Sequence, residues 1–510
     1  MVSWSQHLGK TWEDFREWLP PAVRDLPTWS WLTAGVVVLT SLWYLRRKRG
    51  RRLPPGPMGL PFIGAVQCFG PEIHMDLMRM RKTYGDIISF WLGGRLHVAL
   101  NGYPLIKEAL VNRGGDFADR PHIAVVSYAG FKDEIFAAPY NEQWKASRKF
   151  AIMAFKRFGV GGSGVMEDKI LTEVEHVMEY LRDTIGSPIQ LTRPIQNGLV
   201  RALTSILYSE EYSQDDPEVD RLRDMIHQWF VTVFSMELEA TALYPGWLAK
   251  IVCKKPIEDA IAMNKKMLRY VQDRIERHRA TLDPNNLRDV MDVYLAEREN
   301  LDEERLAYTL LVFLPDGVHT LSIAVLWGFL YITYFSAVQD EIQKELDTVV
   351  GRSGRPTMAH RKNLLYLQAT ILEVFRITSM TPLTAPHKSV HDTTLAGYDV
   401  PSNAIILANI FSVHMDPQTF PDPEKFDPRH FLDHDGQLIN ADRCLPFSLG
   451  RRMCLGEQIS KMEIFLYLAN MLHQFRFSFP ANQPKPPLTT RMIGSVLRSP
   501  EEYSVIATPR

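Results

Sequence analysis

The chain has 510 residues, 45% of them hydrophobic and 23% charged, which is enough apolar side chain to bury a large core and excludes a disordered chain. Its 58 Lys and Arg nearly balance 59 Asp and Glu, for a net charge of −1, so there is no global electrostatic footprint for nucleic acid and any basic partner surface has to be local. Four widely spaced cysteines, Cys68, Cys253, Cys444 and Cys454, form no CxxC pair and no disulfide framework, which points to a reducing compartment; the lack of repeats argues against a solenoid.

Leu26 to Leu45 carries no charge, and these twenty residues at about 1.5 Å each would span about 30 Å, the hydrocarbon core of a bilayer. Trp29 and Trp31 at one end, with Trp43 and Tyr44 at the other, suit the two interfaces. Arg46, Arg47, Lys48, Arg49, Arg51 and Arg52 follow at once, a basic cluster that belongs on the cytosolic side. A cleaved signal peptide is the competing reading, but Glu13, Asp14, Glu17 and Asp25 are unlike a short basic leader. The expected organisation is a lumenal segment (residues 1–25), one transmembrane anchor (26–45), a basic and Pro-rich hinge (46–57) and a single large cytosolic domain (58–510).

Within that domain, two β-like apolar runs between Ile87 and Leu100 flank Gly93-Gly94 and predict a hairpin. Helical periodicity recurs over residues 141–158, 165–186, 217–236, 256–280, 302–338, 339–349, 364–379 and 457–474. Leu321 to Gln339 is uncharged and passes for a membrane span on hydropathy alone. It continues a helix that begins near Asp302 and carries Asp316, Gly317 and His319, groups costly to expose to lipid, so a buried core helix is the expectation. Between residues 384 and 450 prolines are dense and irregular structure should concentrate.

The chemistry lies in Phe447-Ser-Leu-Gly450-Arg-Arg452-Met-Cys454-Leu-Gly456, just before an apolar helix. A cysteine at a helix N-terminus beside arginine feels positive potential that favours thiolate over thiol. Gly450 and Gly456 would let a flat macrocycle approach the backbone. The run resembles the haem-binding loop of cytochromes P450, Phe-x-x-Gly-x-Arg-x-Cys-x-Gly, at Phe447, Gly450, Arg452, Cys454 and Gly456. Cys444 lacks this frame and reads as an ordinary small core residue.

Further patterns of the same family arrive in order. Glu373 and Arg376 match its Glu-x-x-Arg, and Phe426-Asp-Pro-Arg429-His430-Phe431 follows, with His430 in the slot where many members carry arginine; these resemble structural braces beneath the haem. Trp144 and Arg148 match a Trp-x-x-x-Arg pair suited to a haem propionate, as are Arg452, Arg120 and His387. The similarity covers nearly the whole chain and is nearest to animal microsomal family 2 members. It implies a mainly α fold with a small β region, haem b ligated by the Cys454 thiolate, and a place in the endoplasmic reticulum membrane. It also implies electrons from NADPH through NADPH-cytochrome P450 reductase, with cytochrome b5 as a second donor. Lys145, Lys149, Lys156, Arg157 and Arg451 read either as a docking face for such a partner or as a solvated face.

One stretch departs from the family pattern Ala/Gly-Gly-x-Asp/Glu-Thr. Here Asp316-Gly317-Val318-His319-Thr320 keeps the glycine and threonine, places His where the acid stands, and Asp where the small residue stands. The expected bond from Thr320 back to the Asp316 carbonyl, beside Pro315, would open the helix locally, and the His319 imidazole could then relay protons near neutral pH. Three functions remain open at this point: a monooxygenase, a reductase-independent haem-thiolate isomerase or dehydratase acting on a peroxide, and a non-catalytic membrane haem protein. Candidate pocket walls are Val126, Phe131, Ile135 and Phe136, then Phe230, Phe234 and Phe313. Leu383, Ala385 and Val496 complete the set, which suits an apolar ligand such as a fatty acid, sterol or xenobiotic.

Overall fold

The computed structural model describes residues 50–60, 64–121, 135–158, 164–244, 246–296, 303–494 and 496–510, together with Thr33 and Gly35. Apart from Thr33 and Gly35, the expected anchor and lumenal segment lie outside these, as do the pocket candidates Val126 and Phe131. Met1–Leu53 and Pro54–Arg510 form separate compact units, and it is the second that carries the described elements.

Its long helices, in chain order, are α1 (Ile73–Tyr84), α2 (Glu142–Arg157), α3 (Val165–Asp183), α4 (Thr192–Tyr208) and α5 (Pro217–Val233). They continue with α6 (Lys254–Thr281), α7 (Glu303–Tyr334), α8 (Ser336–Val349), α9 (Leu365–Thr378) and α10 (Glu457–Gln474). The hairpin forms as the sequence predicts: β1 (Ile87–Leu92) pairs antiparallel with β2 (Arg95–Asn101), Ile87 opposite Leu100. Gly93 and Gly94 both have positive φ, the conformation a tight two-residue hairpin turn demands. The sheet is completed from far along the chain. β2 runs parallel to β4 (Ile405–Asn409), which pairs with the short β3 (His387–Lys388) and so fixes His387 in a strand.

α7 is the spine of the helical core and packs against α4, α5, α6, α8, α9 and α10. From Leu321 to Thr333 every residue is buried, which accounts for the absence of charge: this part of the helix is apolar all round because protein covers all its faces. The uncharged run is not one helix, however. α7 ends at Tyr334, and α8 starts afresh at Ser336. In the middle of α7, Phe313, Asp316, Gly317 and Thr320 keep partial exposure. Their spacing of three, four and seven places them on one face, so α7 lines an internal hollow there.

α4 and α1 were not anticipated by periodicity. In α4, Pro194 and Gly198 read as breakers, yet Pro194 lies in the first turn, where proline is tolerated, and at Gly198 a side chain would collide with the Tyr467 hydroxyl of α10. Gly317 does the same for the contact of α7 with Leu203 of α4.

Candidate active site

The loop before α10 is tied by the Cys454 N–H, which donates to the Phe447 carbonyl at 2.9 Å. Gly450 has φ +80°, and a side chain there would overlap the Leu110 carbonyl. The demand for glycine at 450 is thus made by the protein's own backbone. At Gly456 the nearest groups, Ser460 Oγ and Cys454 Sγ, would meet a Cβ at 3.8 and 3.9 Å, an ordinary contact. Cys454 stays accessible although protein encloses it. Burial outweighs the Gly456 N–H and the charge of Arg148 and pushes the thiol up to about 11, where dipole and arginine alone would favour thiolate. A sulfur in such a place becomes an anion when a cation binds it; a coordinating thiol is deprotonated outright.

Around the loop, guanidinium groups converge from three elements. Arg148 on α2 donates to the Met453 carbonyl at 2.7 Å. Arg452 donates to the carbonyls of Ala118 (2.7 Å) and Ala138 (2.6 Å), with its guanidinium 3.9 Å from the centre of the Trp144 ring. Arg120 donates to the carbonyls of Phe136, Ala385 and Pro386. The His387 ring shares a hydrogen bond with the Phe117 carbonyl at 2.9 Å, and burial, then Arg120 and Arg452, hold it well below its usual range and neutral. The Trp144 indole N–H is bonded to the Ile135 carbonyl at 2.8 Å, so its ring, as a platform for Arg452, is what it offers the cluster.

Glu373 and Arg376, both fully buried on α9, form a bidentate pair with both bonds at 2.7 Å. Arg376 also donates to the carbonyls of His414, Pro423 and Lys425, and Glu373 accepts from the Asp427 N–H. His430 Nδ1 meets Glu373 at 3.0 Å and its Nε2 meets the Pro421 carbonyl at 2.6 Å, so the cationic ring fits best; Glu373 raises its pKa. Arg429 turns outward to Asp427. Buried Cys444 leans on the Leu372 carbonyl, and burial raises its thiol far out of reach of ionisation.

On the accessible face of α7, the Thr320 hydroxyl donates to the Asp316 carbonyl at 2.5 Å. The Asp316 carboxyl is raised by burial to about 7, and its charge is felt at Cys454. His319 is on another face. Its ring packs 4.2 Å from Phe230 and 5.5 Å from His227, and it lines a separate cleft of about 240 Å³ with Gln196, Ser322 and Arg491. Burial, with His227, lowers it to about 3, so the imidazole is neutral.

With this geometry in hand, comparison with known proteins is decisive. The Cytochrome P450 family model matches residues 54–507. The chain belongs to the cytochrome P450 family. It is 31% identical to cytochrome P450 2J1 of Oryctolagus cuniculus over 489 residues, covering 94% of this chain and 96% of that protein. It is similar to cytochrome P450 2U1 of Homo sapiens (29% identity, 94% and 93% coverage) and to cytochrome P450 18a1 of Drosophila melanogaster (32%, 92% and 90%). It is an enzyme, a P450 monooxygenase, and its family implies a haem-thiolate cofactor.

The residues of this P450 fit that cofactor. The accessible, enclosed sulfur of Cys454 suits an iron ligand, and the convergence of Arg120, Arg148 and Arg452 on carbonyl dipoles suits the two carboxylates of a haem. Of the candidate pocket walls, Ile135, Phe136, Phe234, Phe313, Leu383, Ala385 and Val496 remain partly exposed. Phe230 is spent on the core against His319 and Phe234, so it does not share the face of Phe313. What the sequence could not signal was Leu110, whose carbonyl shapes the cysteine loop from a distant turn.

Proposed function

We propose that this P450 hydroxylates an apolar small molecule, of the fatty acid, sterol or xenobiotic class, with O2 and with electrons from NADPH passed on by NADPH-cytochrome P450 reductase or cytochrome b5. When bound, the haem supplies oxygen activation, and thiolate ligation favours O–O cleavage. Cys454 is the sulfur ligand; Arg120, Arg148 and Arg452, with Trp144 and His387 behind them, hold the propionates. Glu373, Arg376 and His430 brace the segment that leads to the cysteine loop. Thr320 passes protons at Oγ1, since the hydroxyl stands on the accessible face and its bond to the Asp316 carbonyl fixes its direction. Asp316 presents its carboxyl on the same face, whereas His319 packs elsewhere and takes no part. The apolar side chains of Phe136, Phe313 and Val496 keep water from the reacting carbon.

Residues 26–45 anchor the enzyme once in the endoplasmic reticulum membrane, with the catalytic domain in the cytosol. Lys145, Lys149, Lys156, Arg157 and Arg451 are exposed on α2 and the cysteine loop, which supports a basic docking face for the electron donor there. The observation that carries this reading is Cys454, accessible yet enclosed, in a loop closed by its own N–H. The test is a screen of fatty acids and sterols by haem spectral shift, followed by turnover of the hits with reductase, NADPH and labelled O2. One labelled oxygen atom in the product supports the proposal. Turnover of a lipid hydroperoxide without NADPH, with no label incorporated from O2, would replace it with an isomerase or dehydratase.

A further inference from the structure

Asp316 is the one acidic side chain on the accessible face of α7 formed by Phe313, Asp316, Gly317 and Thr320. Its backbone carbonyl is taken by Thr320, but its carboxyl makes no hydrogen bond or ion pair with any described residue. Three other acids of the core are held by cations. Glu373 is held by Arg376 and His430, Asp292 by Arg288, and Glu173 by Arg201. Glu463, on α10, also lacks a partner, yet it is sealed at zero exposure, where no ligand can reach it. Asp316 alone among these combines an unmatched carboxyl with partial exposure, on a face of α7 near enough to Cys454 for its charge to be felt there.

Leaving a carboxyl without a partner in an apolar hollow costs free energy that a donor brought by a ligand would return. On the same face Phe313, one turn away and packed on Phe155, offers only carbon. We propose that Asp316 is the specificity-determining residue of the hollow and selects substrates that carry a hydrogen-bond donor, a hydroxyl or a protonated amine, on an otherwise apolar frame. This deepens the monooxygenase reading and rests on it, because the ligand it describes is the one to be oxidised beside Cys454. A substrate pinned at Asp316 has its orientation set by one polar contact, so oxidation falls at a fixed distance along the frame from the donor.

The experiment uses the full-length, haem-loaded protein and three probes of one chain length: dodecane, 1-dodecanol and N,N-dimethyldodecylamine. Dissociation constants are read from the haem spectral shift and independently from quenching of tryptophan fluorescence. The expected result is that at least one donor-bearing probe binds about ten-fold or more tighter than dodecane. In Asp316→Ala that preference falls below about three-fold, while dodecane binds as well as before or better. Asp316→Asn, which keeps the shape and so guards against misfolding, separates the two sources. If the alcohol is the better-bound probe and its advantage survives in it, the natural donor is a hydroxyl; if the amine is the better-bound probe and its advantage is lost in it, the donor is a cation. Equal preference in the wild type and in Asp316→Ala, or no preference in the wild type, overturns the proposal while leaving the monooxygenase reading intact. Failure of the protein to load haem with a thiolate signature would instead sink the reading beneath it.

Discussion

The Thr320 hydroxyl donates to the carbonyl oxygen of Asp316, 2.5 Å away and one turn earlier on α7. Such a back-bond competes with the helical ladder, and Pro315, with no N–H, already leaves a gap beside it. Thr320→Ala should therefore lower product formed per NADPH consumed by roughly ten-fold, with the missing reducing equivalents appearing as hydrogen peroxide. His319→Ala should leave that ratio within about two-fold of wild type, since the ring faces Phe230 and His227. A His319 variant as uncoupled as the Thr320 variant would show that protons enter through the cleft behind α7 after all.

Replacing Cys454 by Ser should abolish the thiolate signature in the spectrum of the reduced carbon monoxide complex. Cys444→Ser should leave it intact, because that sulfur is buried against the Leu372 carbonyl. The opposite pair of spectra would mean that the ligand has been assigned to the wrong cysteine.

Removing one partner of the Glu373–Arg376 pair strands a charge at zero exposure. Arg376→Ala should cost about 3–5 kcal/mol of stability, read by denaturant unfolding, and should empty the protein of haem. The contribution of His430 depends on pH. Its pKa in the folded protein is raised, by Glu373 first, above the unfolded value of about 6.5. Its stabilisation is thus complete below about pH 6.5 and fades as pH rises through the higher folded value. Thermal melts of wild type and His430→Leu should converge with rising pH, and His430→Arg should hold its stability across the same range. A gap between wild type and His430→Leu that widens with pH would contradict the sign.

The two glycines of the cysteine loop should behave differently. Gly450→Ala drives a methyl group into the Leu110 carbonyl at a positive φ and should cost roughly 1–3 kcal/mol, visible in a thermal melt even without haem. Gly456→Ala meets nothing closer than 3.8 Å in the protein, and its haem-free stability should stay within about 0.5 kcal/mol of wild type. If it nevertheless loses haem content, the macrocycle is what presses on that position.

Deletion of residues 1–52 should yield a haem-loaded protein that alkaline carbonate extracts from membranes. α7 is long and apolar enough to cross a bilayer, but 78% of its most apolar window is buried within the protein. Persistence of the truncated form in the carbonate-resistant pellet would show that a second segment spans.

Sequence alone determined what depends on neighbours in the chain. The cysteine loop, the Glu373/Arg376 spacing, the hairpin at Gly93-Gly94 and the burial of α7 were all legible, because turn residues, helical spacing and hydrophobic runs act over a few residues. Residues from 373 to 456 were also readable as one brace and loop system, since His430 holds a place whose neighbours on both sides are distinctive. Only the tertiary structure decided which face of α7 meets which neighbour. Helical periodicity separates His319 from Thr320 by about 100°, but it cannot say which of them shares the partly exposed face of Asp316 and which packs against Phe230. The same limit applies to Gly450, whose requirement comes from the carbonyl of Leu110 more than three hundred residues earlier, and to Gly198, whose space is claimed by Tyr467. Contacts of that kind arise when elements far apart in sequence are brought together to bury a common core, and no local pattern records them.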